Sequence, residues 1–377
     1  MSRSDSKRKL RVSSEDSGVQ ITVLNQMLEP VAWGVQKVEV ELAPGLYEAR
    51  FAAGSSVRER LVALKSGPDP EVIHQEPIAF ASAAPLLHTR TVVPEQSNAA
   101  ARLSRQIHRR LGRGGRLLVF VRDRDLRART SLAHGLALLG ADGEVGSIEA
   151  DGERGGGPDR EHPPWAACSY ELAAGSWRLR CAAPHVGAVE QTVVVCHAWQ
   201  TQVFLERRRS HSGRARLPEL SDASVLMAKT RDGFEPDLTE MRAAELARQS
   251  LRDGRAAVPA SDLRAMVYGK RRNPMLAIYG AHLMIREAEP DRQFVRRVTN
   301  NLRRLVGDHP DVRALTLWHS PDEDVGDFAD PPMLMSSWAI LMKAARRRPD
   351  LIPDGSLSAS IDRRVIAAGP WLRWRAL

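Results

Sequence analysis

The sequence predicts a multi-domain chain of α and β structure, with two small antiparallel β-sandwich modules followed by an α-helical domain. Three observations carry this expectation. One thirteen-residue segment occurs twice. Around both copies, apolar and polar side chains alternate between Gly- and Pro-containing turns, the pattern of half-buried strands. From Asp237 onward the apolar period changes from two to that of a helix. A length of 377 residues fits two or three domains at roughly 100–200 residues each. With 43% hydrophobic residues a wholly disordered or collagen-like chain is excluded.

Residues 1–18 are rich in Lys and Arg but lack the apolar core of a secretory signal, so they are expected to form a disordered basic tail. The first β module is assigned to 19–94. Within it Val38, Val40 and Leu42 alternate with charged residues, Pro44-Gly45 turns the chain, and Tyr47, Ala49 and Phe51 resume the alternation. This pattern predicts a half-buried antiparallel hairpin. Residues 41–53, Glu-Leu-Ala-Pro-Gly-Leu-Tyr-Glu-Ala-Arg-Phe-Ala-Ala, align without a gap on 171–183, Glu-Leu-Ala-Ala-Gly-Ser-Trp-Arg-Leu-Arg-Cys-Ala-Ala. A single recurrence at this separation implies two copies of one module rather than a solenoid, whose periods are about 20–50 residues. The second module spans 116–206, with further strands at 117–121, 192–195 and 202–205 and a polar insertion over 150–164. Between the modules, 95–115 is expected to form a connecting helix capped by Asn98, with Leu103, Ile107 and Leu111 along one edge.

The Leu42–Tyr47 and Leu172–Trp177 runs resemble the turn-plus-aromatic signature of carboxypeptidase-regulatory-like (transthyretin-like) β-sandwich modules. The resemblance is confined to the N-terminal half. It implies accessory modules without catalytic residues of their own, serving folding, contact or presentation.

An Arg-rich stretch without apolar period opens a linker assigned to 207–236, and the helical domain follows over 237–377. Asp237-x-x-Glu240 forms a capping box ahead of the first helix, and Ser261 caps a second that runs to Tyr268. Asn273-Pro274 starts a third, with Pro at its first position. Residues 275–285 are apolar nearly all round, which places that helix at the centre of a bundle. A helix over 291–306 puts Phe294, Val298 and Leu302 inward and its arginines outward, and Gly307 stops it. Further helices are expected over 332–346 and 357–368, giving antiparallel helix pairs with a TPR-like outline. The 273–283 region resembles bacterial helical domains that accompany caspase-like peptidases or other effectors. Since the chain has no Gln-Ala-Cys-x-Gly signature, that resemblance implies the accessory and not the peptidase.

Chemistry-bearing residues are sparse. Cys168, Cys181, Cys196 and His197 lack the close Cys pairs of a structural zinc site, so no metal is expected, and the cysteines are assigned to packing, although one disulfide pair is open to them. A nucleophilic dyad of Cys168 with His185 or His197 is unconstrained by spacing. Gly112-Arg-Gly-Gly115 precedes a strand and lacks the Gly-Lys-Ser/Thr ending of a phosphate loop. No nucleophile elbow, His-Glu-x-x-His pair or dinucleotide fingerprint occurs, and no cofactor is expected. The 318–327 segment gathers His319, Asp322 and Asp324 on one interhelical loop and is the best acid/base candidate, against the plainer reading of Pro-acid turn chemistry. His282 is expected in the core. Trp371 and Trp374 are candidates for an exposed partner anchor or for a tail folded back on the bundle.

The formal charge of +9 and a pI near 9.9 suggest nucleic acid as a partner, with Arg346, Arg347 and Arg348 as candidate contacts. The excess is concentrated in the tail, in the Arg-rich stretch and among interleaved acids of the helical domain, while 19–205 is neutral. Nucleic acid is therefore not favoured. No segment reaches the roughly 20 apolar residues of a membrane span, and a soluble, cytoplasmic protein is expected. The leading expectation is a non-enzymatic adaptor or accessory subunit that binds a protein partner, an effector or peptidase among the candidates. The alternatives are a hydrolase-like enzyme acting through His319, Asp322 and Asp324, and a nucleic-acid-binding protein.

Overall fold

In the computed structural model, residues 7–16, 19–53, 56–123, 131–157, 163–183, 187–209, 216–253 and 273–376 are described. The chain is a multi-domain assembly of several sheets and helices. Seven strands make up the N-terminal module: β1 (Arg8–Ser14), β2 (Gln20–Leu24), β3 (Pro30–Val35), β4 (Lys37–Leu42), β5 (Gly45–Ala53), β6 (Ser56–Leu64) and β7 (Glu71–Gln75). They form a three-stranded sheet ordered β4-β1-β7 and a four-stranded sheet ordered β3-β2-β5-β6. Leu10, Val12 and Val38 from the first sheet and Ile21, Val23, Phe51 and Val62 from the second share one buried core. The expected disordered tail is thus corrected over Arg8–Ser14. Leu10 and Val12 alternate with Lys9 and Arg11, and β1 fills the centre of its sheet, antiparallel to β4 and parallel to β7.

The repeated segment is not a hairpin. In the first copy β4 pairs with β1, whereas β5 pairs with β2 and β6, so Ala43-Pro44 carries the chain from one sheet to the other. The second copy does the same between β13 (Trp165–Ala173), which pairs with β9 (Gly114–Arg122), and β14 (Gly175–Ala183), which pairs with β10 (Leu136–Gly140) and β15 (Gly187–Val195). The alternation seen in the sequence is real, but a strand pair facing one core from two sheets alternates just as a hairpin does. Each corner is tied by the motif's aromatic residue. Tyr47 Oη donates to the Ala43 carbonyl at 2.9 Å, and Trp177 Nε1 donates to the aligned Ala173 carbonyl at 3.1 Å.

The second set of strands also includes β8 (Arg109–Arg110), β11 (Gly143–Ser147), β12 (Glu153–Gly155), β16 (Trp199–Arg209), β17 (Arg216–Pro218), β18 (Ser224–Lys229) and β19 (Arg373–Arg375). One sheet runs β11-β10-β14-β15-β19. The other runs β12-β13-β9-β16-β17, with β18 also on β16 and β8 on β13. Phe120 stacks on Trp165 with ring centroids 5.8 Å apart at the centre of the core. The connecting helix is shorter than expected: α1 (Pro94–Ser104) begins with Pro at its first position, so Asn98 lies within the helix instead of capping it. Leu111, placed on its edge by period, instead donates its N–H to the Glu171 carbonyl at 2.9 Å.

The linker assignment over 207–236 is also corrected. β18 is buried from Ser224 to Ala228 and pairs antiparallel with β16 along its whole length. A short α2 (Ile148–Asp151) runs into the start of the polar insertion, and the helical part comprises α3 (Thr239–Asp253), α4 (Pro274–Met284), α5 (Arg292–Val306), α6 (Pro310–His319), α7 (Met335–Ala345) and α8 (Leu357–Ile361) among the described residues. The expected helix over Ser261 and Tyr268 lies outside the described residues. Every residue of α4 is buried, as its all-round apolarity predicts. Tyr279 Oη on α4 donates to the Val225 carbonyl of β18 at 2.7 Å, and Val225, Phe204, Ile278 and Val298 lie in one continuous core. The last expected helix stops at Ile361, and the chain then returns to the β region, where β19 pairs with β15.

Two arginines tie these parts together. Arg242 of α3 grips Asp16 with Nε and Nη2 at 2.6 and 2.9 Å, donates to the Ile78 and His88 carbonyls, and lies over the Phe80 ring. Arg122 at the end of β9 donates to the Thr91 carbonyl at 2.7 Å and to Glu206 at 3.0 Å. Buried charges are kept because each is paired and hydrogen-bonded.

Candidate functional site

The 318–327 loop does not gather its acids around the histidine. Asp322 and Asp324 are exposed, and Asp324 accepts the Gly326 N–H at 3.0 Å in a local turn. His319 Nδ1 lies 2.9 Å from the neighbouring Ser320 hydroxyl, and burial holds this ring below its ordinary pKa; Glu323 opposes that shift, and Arg296 and Arg303 reinforce it. Among the described residues no hydrogen bond or ion pair joins His319 to Asp322 or Asp324. Arg348 shapes this loop by donating to the Pro321 and Glu323 carbonyls at 3.1 and 3.0 Å. Arg346 and Arg347 are exposed beside it.

Trp371 and Trp374 are fully buried, which corrects their reading as an exposed anchor. Trp371 Nε1 donates to the Ala223 carbonyl at 2.9 Å, and Trp374 lies on β19 in the C-terminal core. The three cysteines are free and buried. Burial pushes the Cys168 thiol up to about 11 and those of Cys181 and Cys196 up to about 12, so all three stay protonated at neutral pH and are poor nucleophiles. Among the described residues no group of His, Cys, Asp or Glu side chains is placed to hold a metal ion.

A cavity of about 610 Å³ opens between the corner at Gly175, the end of β15 and the α5–α6 connection. Its buried histidine, His309, caps α6: Nδ1 accepts the Asp311 N–H at 3.2 Å, and burial holds the ring below its ordinary pKa against the opposing charge of Asp311. Two arginines on the cavity wall are engaged, Arg303 with Glu323 and Arg313 with the Val325 carbonyl. Asp311, beneath, receives the Met333 and Leu334 N–H groups. These groups fasten α6 and α7, and the adjacent thiol of Cys196 is protonated.

The unusual surface lies elsewhere. Every large hydrophobic side chain that is exposed among the described residues falls between Met27 and Val72. The register explains how they come together. On β5, Ala49 and Phe51 face the core, so Leu46, Glu48 and Arg50 face outward. Trp33 stands opposite Thr22, which stands opposite Arg50; Leu61 stands opposite Glu48; and Leu46 stands opposite Ala63. Trp33, Leu46 and Leu61 therefore share the outer face of one sheet, with Trp33 62% and Leu61 74% exposed.

The β2–β3 turn carries two more of the exposed apolar residues, Met27 and Leu28. Asn25 Oδ1 accepts the Met27 and Glu29 N–H groups at 2.9 and 3.0 Å, and Asn25 Nδ2 donates to Glu29 at 2.9 Å. This network holds Leu28 at φ 59, in the left-handed region that bulky residues avoid. Met27 and Leu28 project from the tip, and Gln26 lies against Gly45 at the start of β5. Sequence reasoning missed the surface because it assigned no strand over Trp33 or Leu61; the signal available was Leu46, which alternation places outward beside the core-facing Ala49 and Phe51.

No known protein-family model matches the chain, and no curated protein matches it. Among solved structures, it is similar to the Bacillus anthracis TIE protein at 9% identity and a TM-score of 0.20, over 51% of this chain and 32% of that one. It is also similar to a candidate adhesin from Bacteroides ovatus at 6% identity and a TM-score of 0.17, over 59% of this chain and 92% of that one. The chain thus spans about a third of the length of the first. At these scores the likeness assigns neither fold nor role.

Proposed function

We propose that this protein is a non-enzymatic interaction protein, an adaptor or accessory subunit, that binds a protein partner through its N-terminal module. In this reading the two groups of strands are β-sandwich modules of the carboxypeptidase-regulatory-like kind, and the helical part is a bundle of antiparallel pairs that supports them. The observation that carries the proposal is the confinement of exposed large apolar side chains to one module, with Trp33, Leu46 and Leu61 on a single sheet face. Exposed large apolar side chains gathered on one sheet face of an otherwise well-packed protein favour an interaction site, and Trp at such a site supplies much of the binding energy.

The test is a tagged pull-down of the full chain from its native host, with the Trp33→Ser, Leu61→Ser double variant in parallel. A stoichiometric protein recovered with the wild type and lost with the variant supports the proposal. Equal recovery with both, or no stoichiometric partner over a range of salt, overturns it.

A further inference from the structure

The two groups of strands share one pairing pattern. In the N-terminal module β2, β3, β5 and β6 pair as β10, β11, β14 and β15 do in the second set, and β1, β4 and β7 pair as β9, β13 and β16 do, with the same parallel and antiparallel senses. The repeated segment makes Leu42 and Leu172 equivalent. Counting along the ladders, Val72 then corresponds to Gln202, Ile73 to Val203 and His74 to Phe204. In the second set this edge is covered: β18 lies antiparallel on β16, with Leu226, Val225 and Ser224 opposite Gln202, Val203 and Phe204. The same edge of β7 carries no strand among the described residues, and Val72 is 62% exposed.

The neighbouring edge differs. β19 pairs with β15 at Val189, Glu190 and Gln191, and the equivalent positions of β6 are Arg58, Glu59 and Arg60. Arg58 and Arg60 stand opposite Phe51 and Ala49, on the core-facing side of β6, a placement that discourages addition of a further strand. On β7 the Gln75 carbonyl accepts the Glu15 N–H at 3.1 Å on the β1 side, so alternation turns the backbone groups of Val72 and His74 to the open edge. Arg60 Nη1 donates to the His74 carbonyl at 3.0 Å, which leaves the Val72 N–H and C=O and the His74 N–H for an added strand. Ile73 is half-buried against the N-terminal core, whereas Val203, with β18 beside it, is fully buried.

Resting on the interaction reading above, we infer that the protein partner adds an extended strand antiparallel to the open edge of β7, in the place that β18 holds on β16. Backbone hydrogen bonds to Val72 and His74 hold this strand, and an aliphatic side chain opposite Ile73 completes the burial of that residue, as Val225 does opposite Val203.

Val72→Pro removes the outward N–H without breaking the ladder to β1, a change that an edge strand accepts. Val72→Thr keeps the N–H and alters the side chain alone. With the partner recovered from the native host and the purified full chain, Val72→Pro should weaken binding about tenfold, while Val72→Thr stays near wild type. In the wild-type complex, hydrogen exchange at the Val72 and His74 amides should slow relative to the free chain, a readout that holds even where the proline variant fails to fold. A photo-crosslinking residue at position 74 should capture a segment of the partner with an aliphatic residue in it. Equal affinities of the two variants, or unchanged exchange at both amides, overturn the inference and leave the interaction reading in place, because that reading is tested at Trp33 and Leu61. Capture of a second copy of this chain overturns it too. Recovery of no partner overturns both.

Discussion

Leu28 keeps a backbone conformation that costs an L-residue on the order of 1 kcal/mol, and the three hydrogen bonds of Asn25 hold it there. A strained, exposed leucine is what a turn shaped for contact would carry. Leu28→Gly should therefore leave stability in urea denaturation within about 0.5 kcal/mol of wild type, the relieved strain being offset by glycine's greater unfolded-state entropy, and weaken partner binding; a loss of about 2 kcal/mol or more would show that Leu28 packs instead of presenting itself. His282 behaves oppositely. Its two ring nitrogens lie 2.9 and 3.0 Å from the Ser336 and Ser337 hydroxyls, and burial pulls its pKa from 6.5 to about 4. The folded protein keeps this ring neutral where the unfolded chain would protonate it. Its contribution is complete above pH 6.5 and is lost as pH falls from 6.5 toward 4, on the order of 3 kcal/mol. Unfolding free energies at pH 7 and pH 5 should converge in His282→Gln relative to wild type, and an unchanged difference would refute the assignment. The core position of His282 was legible from its apolar helix. Its serine partners were not, because they sit 54 and 55 residues away in sequence.

At the scale of elements, long periodic segments were legible and short ones were not. α4 and α5 match their expected bounds closely, since each combines a start signal with an unambiguous apolar pattern: Pro274 opens one, and Asp291, which accepts the Phe294 N–H at 2.9 Å, opens the other. β18 was hidden because a buried strand reads as a short apolar run without alternation, and its neighbours Asp222 and Arg231 are charged. α6 went unassigned although Pro310 marks its first turn. β19 has only three residues, and its place follows from pairing with Val189, Glu190 and Gln191 far upstream. That pairing makes the C-terminus structural. Trp371→Ala should cost about 3–5 kcal/mol, the usual loss for a buried aromatic, and truncation after Gly369 should abolish the soluble fold. A truncated chain with wild-type stability in urea would show that the two tryptophans contribute nothing to the core.

The whole molecule is joined more tightly than its sequence segments imply. Residues of β9, β16 and β18 share a continuous core with α4 and α5, so the boundary near residue 237 separates patterns of periodicity and not separate cores. The N-terminal module has its own core, but Leu246 of α3 enters it, and Arg242 from the same helix closes on Asp16. Asp16 is 6% exposed and also accepts the Ile78 N–H at 2.8 Å. Removing the arginine leaves a buried carboxylate without its cation, a change that typically costs about 3–5 kcal/mol. The loss falls on the contact between the module and the rest, since Arg242 also holds the Ile78 and His88 carbonyls of the connecting chain. Wild-type protein should therefore unfold in one transition followed by Trp fluorescence and by calorimetry, whereas Arg242→Ala should split it. The N-terminal module should melt first, with the remaining core near its original midpoint, because none of the core built on β9, β16 and α4 depends on Asp16. Arg363→Ala, at an exposed position in the C-terminal region, should leave the single transition in place. One undivided transition at the wild-type midpoint in Arg242→Ala would mean that the module is held by its apolar contacts alone, and that the buried ion pair contributes orientation without cohesion.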